Sequence, residues 1–257
     1  MPLRDGTERA GAAAWVRRSW RALLAELVAT ALLVWLGVLS VMPMAGAGSV
    51  TLTHPALAFG FIVTGNAMIF GPVSGAHMNP AVTLAALLHG RIGAGLALGY
   101  AAAQAAGAVL GFGALVAVTP EHALAAAAGC TAPGPHVSAL GAAAVEAALT
   151  ALLALGCCAA WAAHDDARPD HTVPVKLGLL VAGLVYSGGQ ATGASLNPVR
   201  SFAPALFQGY WTNHWVYWVG PLAGAALAAL LHRFVLSASA PAAPRAAPED
   251  VPLHDKA

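Results

Sequence analysis

Apolar residues in this chain run in long blocks rather than alternating with polar ones. Six such blocks lie near 20–42, 54–70, 93–118, 136–160, 173–187 and 214–236. About 20 apolar residues in helical form cross a bilayer, so the pattern predicts six transmembrane helices. The pieces between them, MPMAGAG, TPEHA, CTAPGPH and HDDARPDH, carry Gly, Pro and charge that break a helix. The fifth block is short and opens on Thr172 and Pro174, a suitable helix start.

Two segments depart from the pattern. SGAHMNPAVTLAALLHG (Ser74 to Gly90) and TGASLNPVRSFAPALF (Thr192 to Phe207) each carry a Gly-containing lead, then Asn-Pro, then an apolar run of about nine residues. Such runs are too short to span. Irregular backbone at membrane depth is tolerated only where protein buries it or where it lines a wet cavity. The segments therefore predict two re-entrant loops, each followed by a half-helix.

The two halves repeat one another. Glu26-x-x-x-Thr30 recurs as Glu146-x-x-x-Thr150, an offset of 120, Asn79-Pro80 recurs as Asn197-Pro198, an offset of 118, and Gly107 has Gly224 at 117. Three spans plus one short helix thus occur twice, and an odd number of spans turns the second copy upside down. The fold class expected is an all-α membrane protein, six transmembrane helices plus two re-entrant half-helices in an inverted repeat. A cytoplasmic segment 1–19 precedes a channel domain 20–236, with repeats at about 20–118 and 136–236, and a Pro/Ala-rich disordered tail follows at 237–257.

Composition agrees with a bilayer as solvent. Of 257 residues, 58% are hydrophobic and 9% charged, whereas a soluble domain carries about 25% charge. The formal net charge of +1 gives no polybasic surface for nucleic acid. Cys157 and Cys158 lie inside an apolar run and read as small hydrophobes rather than ligands or a bridge. The long, mixed-charge start is unlike a secretory signal, so the first apolar block reads as a retained helix. With both termini cytoplasmic, every Lys and Arg except Arg200 falls on the inner side. An isolated Arg in a re-entrant segment is a functional candidate.

Asn-Pro at the head of a short helix has a physical logic. Pro at the first turn costs no hydrogen bond and Asn caps well. Two such helices entering from opposite faces bring two positive dipole ends to the midplane, which repels cations and protons. The two Asn amides can also orient a passing water. A single Asn-Pro reads most simply as a turn; two at matched positions before stunted helices point to a transport site.

SGAHMNPAVT and TGASLNPVRSFAPAL resemble the two signature loops of the aquaporin (major intrinsic protein) family. ExxxT in the first and fourth helices, AxxQAAG around Gln104 and NHWVYWVGPLAG from Asn213 match as well, so the resemblance covers about 20–236. It implies pore motifs Asn79-Pro80-Ala81 and Asn197-Pro198-Val199, with Val199 where the family usually has Ala. It implies a selectivity filter of Phe59, Val185, Ala194 and Arg200. Phe59 narrows one wall and Arg200 supplies charge and donors, while Val185 and Ala194 make the other side apolar and wider than a filter that carries His. Ser201, Ala205, Tyr217 and Trp218 are similar to the water-channel subgroup. The resemblance thus implies a passive water channel that excludes ions and protons, with a glycerol, urea, ammonia or metalloid-acid facilitator as the alternative. It also implies a homotetramer and no cofactor.

Each of these residues has a plainer reading. Phe59 alone could be a core aromatic, and Arg200 could snorkel to the interface. The carbonyls of Gly75, Ala76, His77, Gly193, Ala194 and Ser195 are expected to form a ladder of acceptors along the pore, although His77 could simply cap its loop. Glu26 and Glu146 could relay protons, but their duplicated placement favours accepting N–H bonds from the re-entrant loops. Trp211, Trp215, Tyr217 and Trp218 read as an interfacial aromatic belt. A coupled transporter would want a carboxylate in an Asn-Pro segment, and neither has one. An intramembrane serine protease would want Gly two residues before Ser74 or Ser187, where Pro72 and Val185 stand, and no HExxH zinc motif occurs. The partners expected are lipid, water and small neutral solutes, in a plasma membrane or bacterial inner membrane.

Overall fold

The computed structural model of the protein describes residues 11–44, 50–124 and 127–237. Among them are six long helices and two short ones. In chain order they are α1 (Ala12–Leu39), α2 (Thr53–Ser74), α3 (Pro80–His89), α4 (Ala94–Val118), α5 (Ala139–Ala162), α6 (Val173–Thr192), α7 (Pro198–Gln208) and α8 (Val216–Leu231). A π-type turn, His232–Leu236, extends α8. Two expected terminal pieces, most of 1–19 and nearly all of 237–257, lie outside the described residues.

Three helix ends differ from the apolar blocks. α1 begins at Ala12 rather than near 20, because AAAWVRRSW is a good helix former although it is not apolar. α2 and α6 run on to Ser74 and Thr192 through polar and Gly-containing last turns. Both stop where Gly75 and Gly193 take left-handed φ values of 88° and 81°, a conformation that a side chain resists. Five of the six long helices are long and apolar enough to cross a membrane. α6 falls short by composition, carrying Lys176, Ser187, Gln190 and four glycines. It is nonetheless the repeat counterpart of α2 and packs against it.

Close backbone approaches hold the bundle. α1 packs on α4 so tightly that a Cβ on Gly107 would stand 2.2 Å from the Leu27 carbonyl oxygen. The second repeat copies this between α5 and α8, where a Cβ on Gly224 would stand 2.0 Å from the Ala147 oxygen. The repeats join where α2 crosses α6, with a Cβ on Gly60 only 2.6 Å from the Gly178 oxygen. Small residues at such crossings are how helices associate in lipid, where no hydrophobic driving force acts between them. The outer faces carry exposed Phe61, Met68, Ile69, Leu98, Leu140 and Leu179, a coat suited to acyl chains.

The aromatic cluster before α8 is divided. Trp211, Trp215 and Trp218 are exposed, whereas Tyr217 is fully buried and donates its hydroxyl to the Thr192 carbonyl at 2.8 Å. Tyr217 is therefore a brace for the end of α6 and no part of an interfacial belt. Tyr100 does the same in the first repeat, donating to the Ser74 carbonyl at 2.8 Å.

Candidate functional site

Two buried carboxylates organise the middle of the molecule. Glu26 accepts from the Ser74 hydroxyl (2.7 Å) and the His77 N–H (2.8 Å) on one oxygen, and from the Met78 N–H (2.7 Å) and the Gln104 amide (2.8 Å) on the other. Glu146 accepts from the Thr192 hydroxyl (2.7 Å), the Ser195 N–H (2.8 Å) and the Leu196 N–H (2.8 Å). Both side chains are fully buried. A charge in that position is tolerable only with such a set of donors. Each carboxylate thereby fixes the irregular backbone of one re-entrant loop.

That backbone needs fixing. Ala76 and Met78 have φ of 49° and 53°, and Ala194 and Leu196 have 44° and 55°. Left-handed non-Gly residues cost of order 1 kcal/mol each and persist where their surroundings over-determine them. The pattern is the same in both loops, at one and three residues before the Asn.

Asn79 and Asn197 close the loops. Asn79 Oδ1 accepts from the Ala81 N–H at 2.8 Å and Asn197 Oδ1 from the Val199 N–H at 3.1 Å, so each caps its half-helix. Each amide also crosses to the other repeat. Asn79 Nδ2 donates to the Leu196 carbonyl and Asn197 Nδ2 to the Met78 carbonyl, both at 2.8 Å. An amide NH₂ has two protons, so each Asn keeps one donor beyond that bond. Both Asn side chains line an internal cavity of about 100 Å³. The N-termini of α3 and α7 thus meet there from opposite sides.

The lining of this cavity includes Gly75 to Met78 and Ala194 to Leu196 of the two re-entrant loops, together with apolar Leu33, Val63, Leu153, Val181 and Trp161 of the long helices. A second cavity, of about 400 Å³, opens beyond it and includes Leu52, Gly129, Thr131 and Gly193 in its lining. Among the described residues, Phe59, Val185, Ala194 and Arg200 are the four that line both. These four stand where the larger cavity, here the vestibule, adjoins the smaller, here the lumen, and their junction is the neck. Arg200 is 5% exposed, donates from Nη1 to the Gly129 carbonyl at 2.9 Å and lies 5.4 Å from the centre of the Phe59 ring. The bond and the cation–π contact hold its guanidinium across the neck. The Phe59 ring is seated on Gly37, where a Cβ would come within 2.4 Å of it.

The remaining motif residues stand behind the lumen. Pro80, Ala81, Pro198 and Val199 line neither cavity. Val199 is 1% exposed and packs into the hydrophobic core, so its extra methyls act on packing behind Asn197. Several lining residues carried no signal of their own. Met78 and Leu196, whose carbonyls receive the Asn amides, are marked in sequence only by standing one residue before each Asn. Trp161 and Cys157 lie on an apolar helix face like any core residue. Gly129 and Thr131 sit outside the repeat, on the segment joining α4 to α5. Among the described residues, no group of three or more His, Cys, Asp or Glu side chains is placed to hold a metal.

Comparison with known proteins supplies the remaining finding. A family model described as "Major intrinsic protein" matches residues 14–232. The lens fiber major intrinsic protein of Gallus gallus is 42% identical over 218 residues, covering 84% of this chain and 82% of its own length. Aquaporin-4 of Bos taurus is 37% identical over 226 residues, covering 86% of this chain and 69% of its own. Among solved structures, the X-ray structure of the aquaglyceroporin from Plasmodium falciparum is similar with a TM-score of 0.75 and 23% identity, over 84% of this chain and 96% of that one. At that identity the likeness speaks to the fold.

Proposed function

Because the chain belongs to the major intrinsic protein family, a multi-pass membrane channel for water, we propose that Phe59, Val185, Ala194 and Arg200 are its selectivity filter and that conduction is passive, without cofactor or chemical step. The observation that carries this reading is that, among the described residues, these four alone are common to the walls of vestibule and lumen. A solute entering the neck sheds part of its hydration and exchanges hydrogen bonds with Arg200. Its path, from the vestibule at Gly193 onward, runs along the loop carbonyls of Gly193, Ala194 and Ser195, across the free donors of Asn79 and Asn197, and along those of His77, Ala76 and Gly75. Glu26 and Glu146 support the two loops and carry no protons along the pore, since their oxygens are already engaged by loop donors. Cations meet the Arg200 charge and then two positive helix ends.

Water is the principal permeant. A wider solute range is the second reading, favoured by the apolar Val185 and Ala194 that share the neck with Arg200. The subunit works in a homotetramer with a pore in each copy, within a plasma membrane or bacterial inner membrane and with both termini in the cytoplasm. This orientation follows from the Lys and Arg positions. The channel domain is the stretch 20–236.

Stopped-flow light scattering on proteoliposomes tests the reading with separate sucrose and glycerol gradients. Fast shrinkage in sucrose with slow glycerol re-entry is expected. Fast glycerol re-entry would replace it with the facilitator reading. Arg200→Ala should admit larger solutes, and an unchanged solute range in that variant would remove Arg200 from the filter.

A further inference from the structure

We infer that Thr131, on the segment between α4 and α5, is a positioning residue for selectivity, acting on the neck through the hydroxyl chain Thr131–Ser201–Ser195. The inference rests on the filter reading above and extends it to a residue outside both repeats.

The Thr131 and Ser201 hydroxyls are 2.7 Å apart, and the Ser201 and Ser195 hydroxyls 2.6 Å. Ser195 Oγ lies 2.9 Å from the Asn197 carbonyl. A carbonyl can only accept, so Ser195 spends its single proton there. It must then accept from Ser201, and Ser201 from Thr131. The chain has one direction, and Thr131 supplies its first donor. All three residues are buried, Ser201 to 1% exposure. A donor removed from the head leaves a buried oxygen without its partner.

The chain reaches the filter from two sides. Ser195 follows Ala194, and Ser201 follows Arg200. The Thr131 methyl covers Gly193, where an added Cβ would meet it at 3.2 Å. The same segment offers the Gly129 carbonyl to Arg200 and bonds through the Gly134 N–H to the Ala191 carbonyl at 2.8 Å. It is a strap across the second re-entrant loop.

The first repeat is braced differently. There His77 stands for Ser195 and Thr83 for Ser201, at the offset of 118. His77 Nδ1 lies 3.1 Å from the Thr83 hydroxyl, which accepts from the Gln104 amide at 2.9 Å. Gln104 belongs to α4, within the repeat. Its counterpart at an offset of 117 is Pro221, which has no side-chain donor. Thr131 therefore fills from outside the repeat a place that Gln104 fills from within. A brace of that kind can change without disturbing the first re-entrant loop.

The test is the ratio of glycerol to water permeability in proteoliposomes, which cancels differences in the amount of reconstituted protein. T131V keeps the methyl and loses the hydroxyl, and it should raise the ratio about fivefold, the factor that one lost buried hydrogen bond carries. T131S keeps the hydroxyl and should retain the wild-type ratio. S201A should match T131V, and T131V/S201A should go no further than S201A, because the three groups act as one chain. A wild-type ratio in T131V overturns the inference, as do additive effects in the double variant. An equal shift in T131S moves the effect to the methyl over Gly193 and overturns it too. Should T131V fail to reconstitute, S201A decides alone, a wild-type ratio there being fatal. A wild-type protein that passes no water would overturn the channel reading together with this one; a conducting wild type with an unmoved T131V would sink only this one.

Discussion

Phe59 shows how much one residue depends on a neighbour that has no side chain. Its ring rests on Gly37 of α1 and faces the Arg200 guanidinium. Gly37→Ala places a methyl 2.4 Å from the ring, which must move toward Arg200 and into the neck. Water permeability should fall by roughly fivefold, as for an overpacked side chain displaced at about 1 kcal/mol; stopped-flow shrinkage at equal protein load measures it. His214 carries a pH dependence. It accepts from the Trp218 indole N–H on Nε2 at 3.1 Å, so it is neutral with its proton on Nδ1, and burial holds its pKa below the usual histidine value. A lowered folded-state pKa stabilises the protein fully above the unfolded value, about 6.5. That contribution is lost as pH falls from there through the folded value. His214→Gln retains an acceptor for Trp218 and cannot titrate. The drop in Tm between pH 7.5 and 5 should therefore be smaller in the variant than in the wild type. An identical drop would show that His214 titrates alike folded and unfolded.

At the scale of elements, the helix pairs α1–α4 and α5–α8 are each one contact used twice. Gly107 and Gly224 sit against carbonyl oxygens of the facing helix, and neither helix can withdraw without opening the buried carboxylate beside it. Alanine at either position should destabilise by about 1–3 kcal/mol or more through forced separation. Thermal unfolding in detergent reads this, and a Tm equal to wild type would mean that the helices shift freely. Gly107 and Gly111 stand at a small-residue spacing in the sequence, but such spacing is common in an Ala-rich helix and does not name its partner. The partner is decided by the fold. The polar last turns of α2 and α6 lie beyond the apolar blocks for a related reason: a helix that ends against Glu26 or Glu146 needs hydroxyls there, and apolarity no longer marks its end.

For the molecule as a whole, the barrier at the centre belongs to neither repeat alone. Asn79 bonds to the second loop and Asn197 to the first, so two half-helices from opposite faces share one point. On the proposed reading, water crossing it meets donors on both sides and positive helix ends above and below. Proteoliposomes loaded with a pH-sensitive dye, with valinomycin to clamp the potential, should acidify no faster than protein-free vesicles while shrinking faster in sucrose. Acidification that rises with protein content would contradict proton exclusion.

Much of this architecture could be read along the chain, because bilayer thickness demands long apolar blocks and an inverted duplication leaves matched offsets. The two Asn-Pro segments declared themselves by being too short to span. Family resemblance pointed to Phe59, Val185, Ala194 and Arg200, residues that separately look like core or interface. Their common place between two cavities is a property of three dimensions. They come from α2, α6, the second re-entrant loop and α7, and only helix packing brings them together. The exchange of amide bonds between Asn79 and Asn197, the burial of Tyr217 and the strap carrying Thr131 were likewise decided by tertiary structure. Periodicity and spacing record how each segment meets lipid or its own turn; they hold no record of which distant carbonyl or hydroxyl completes a donor. That choice is made when buried polar groups find their partners in the assembled bundle.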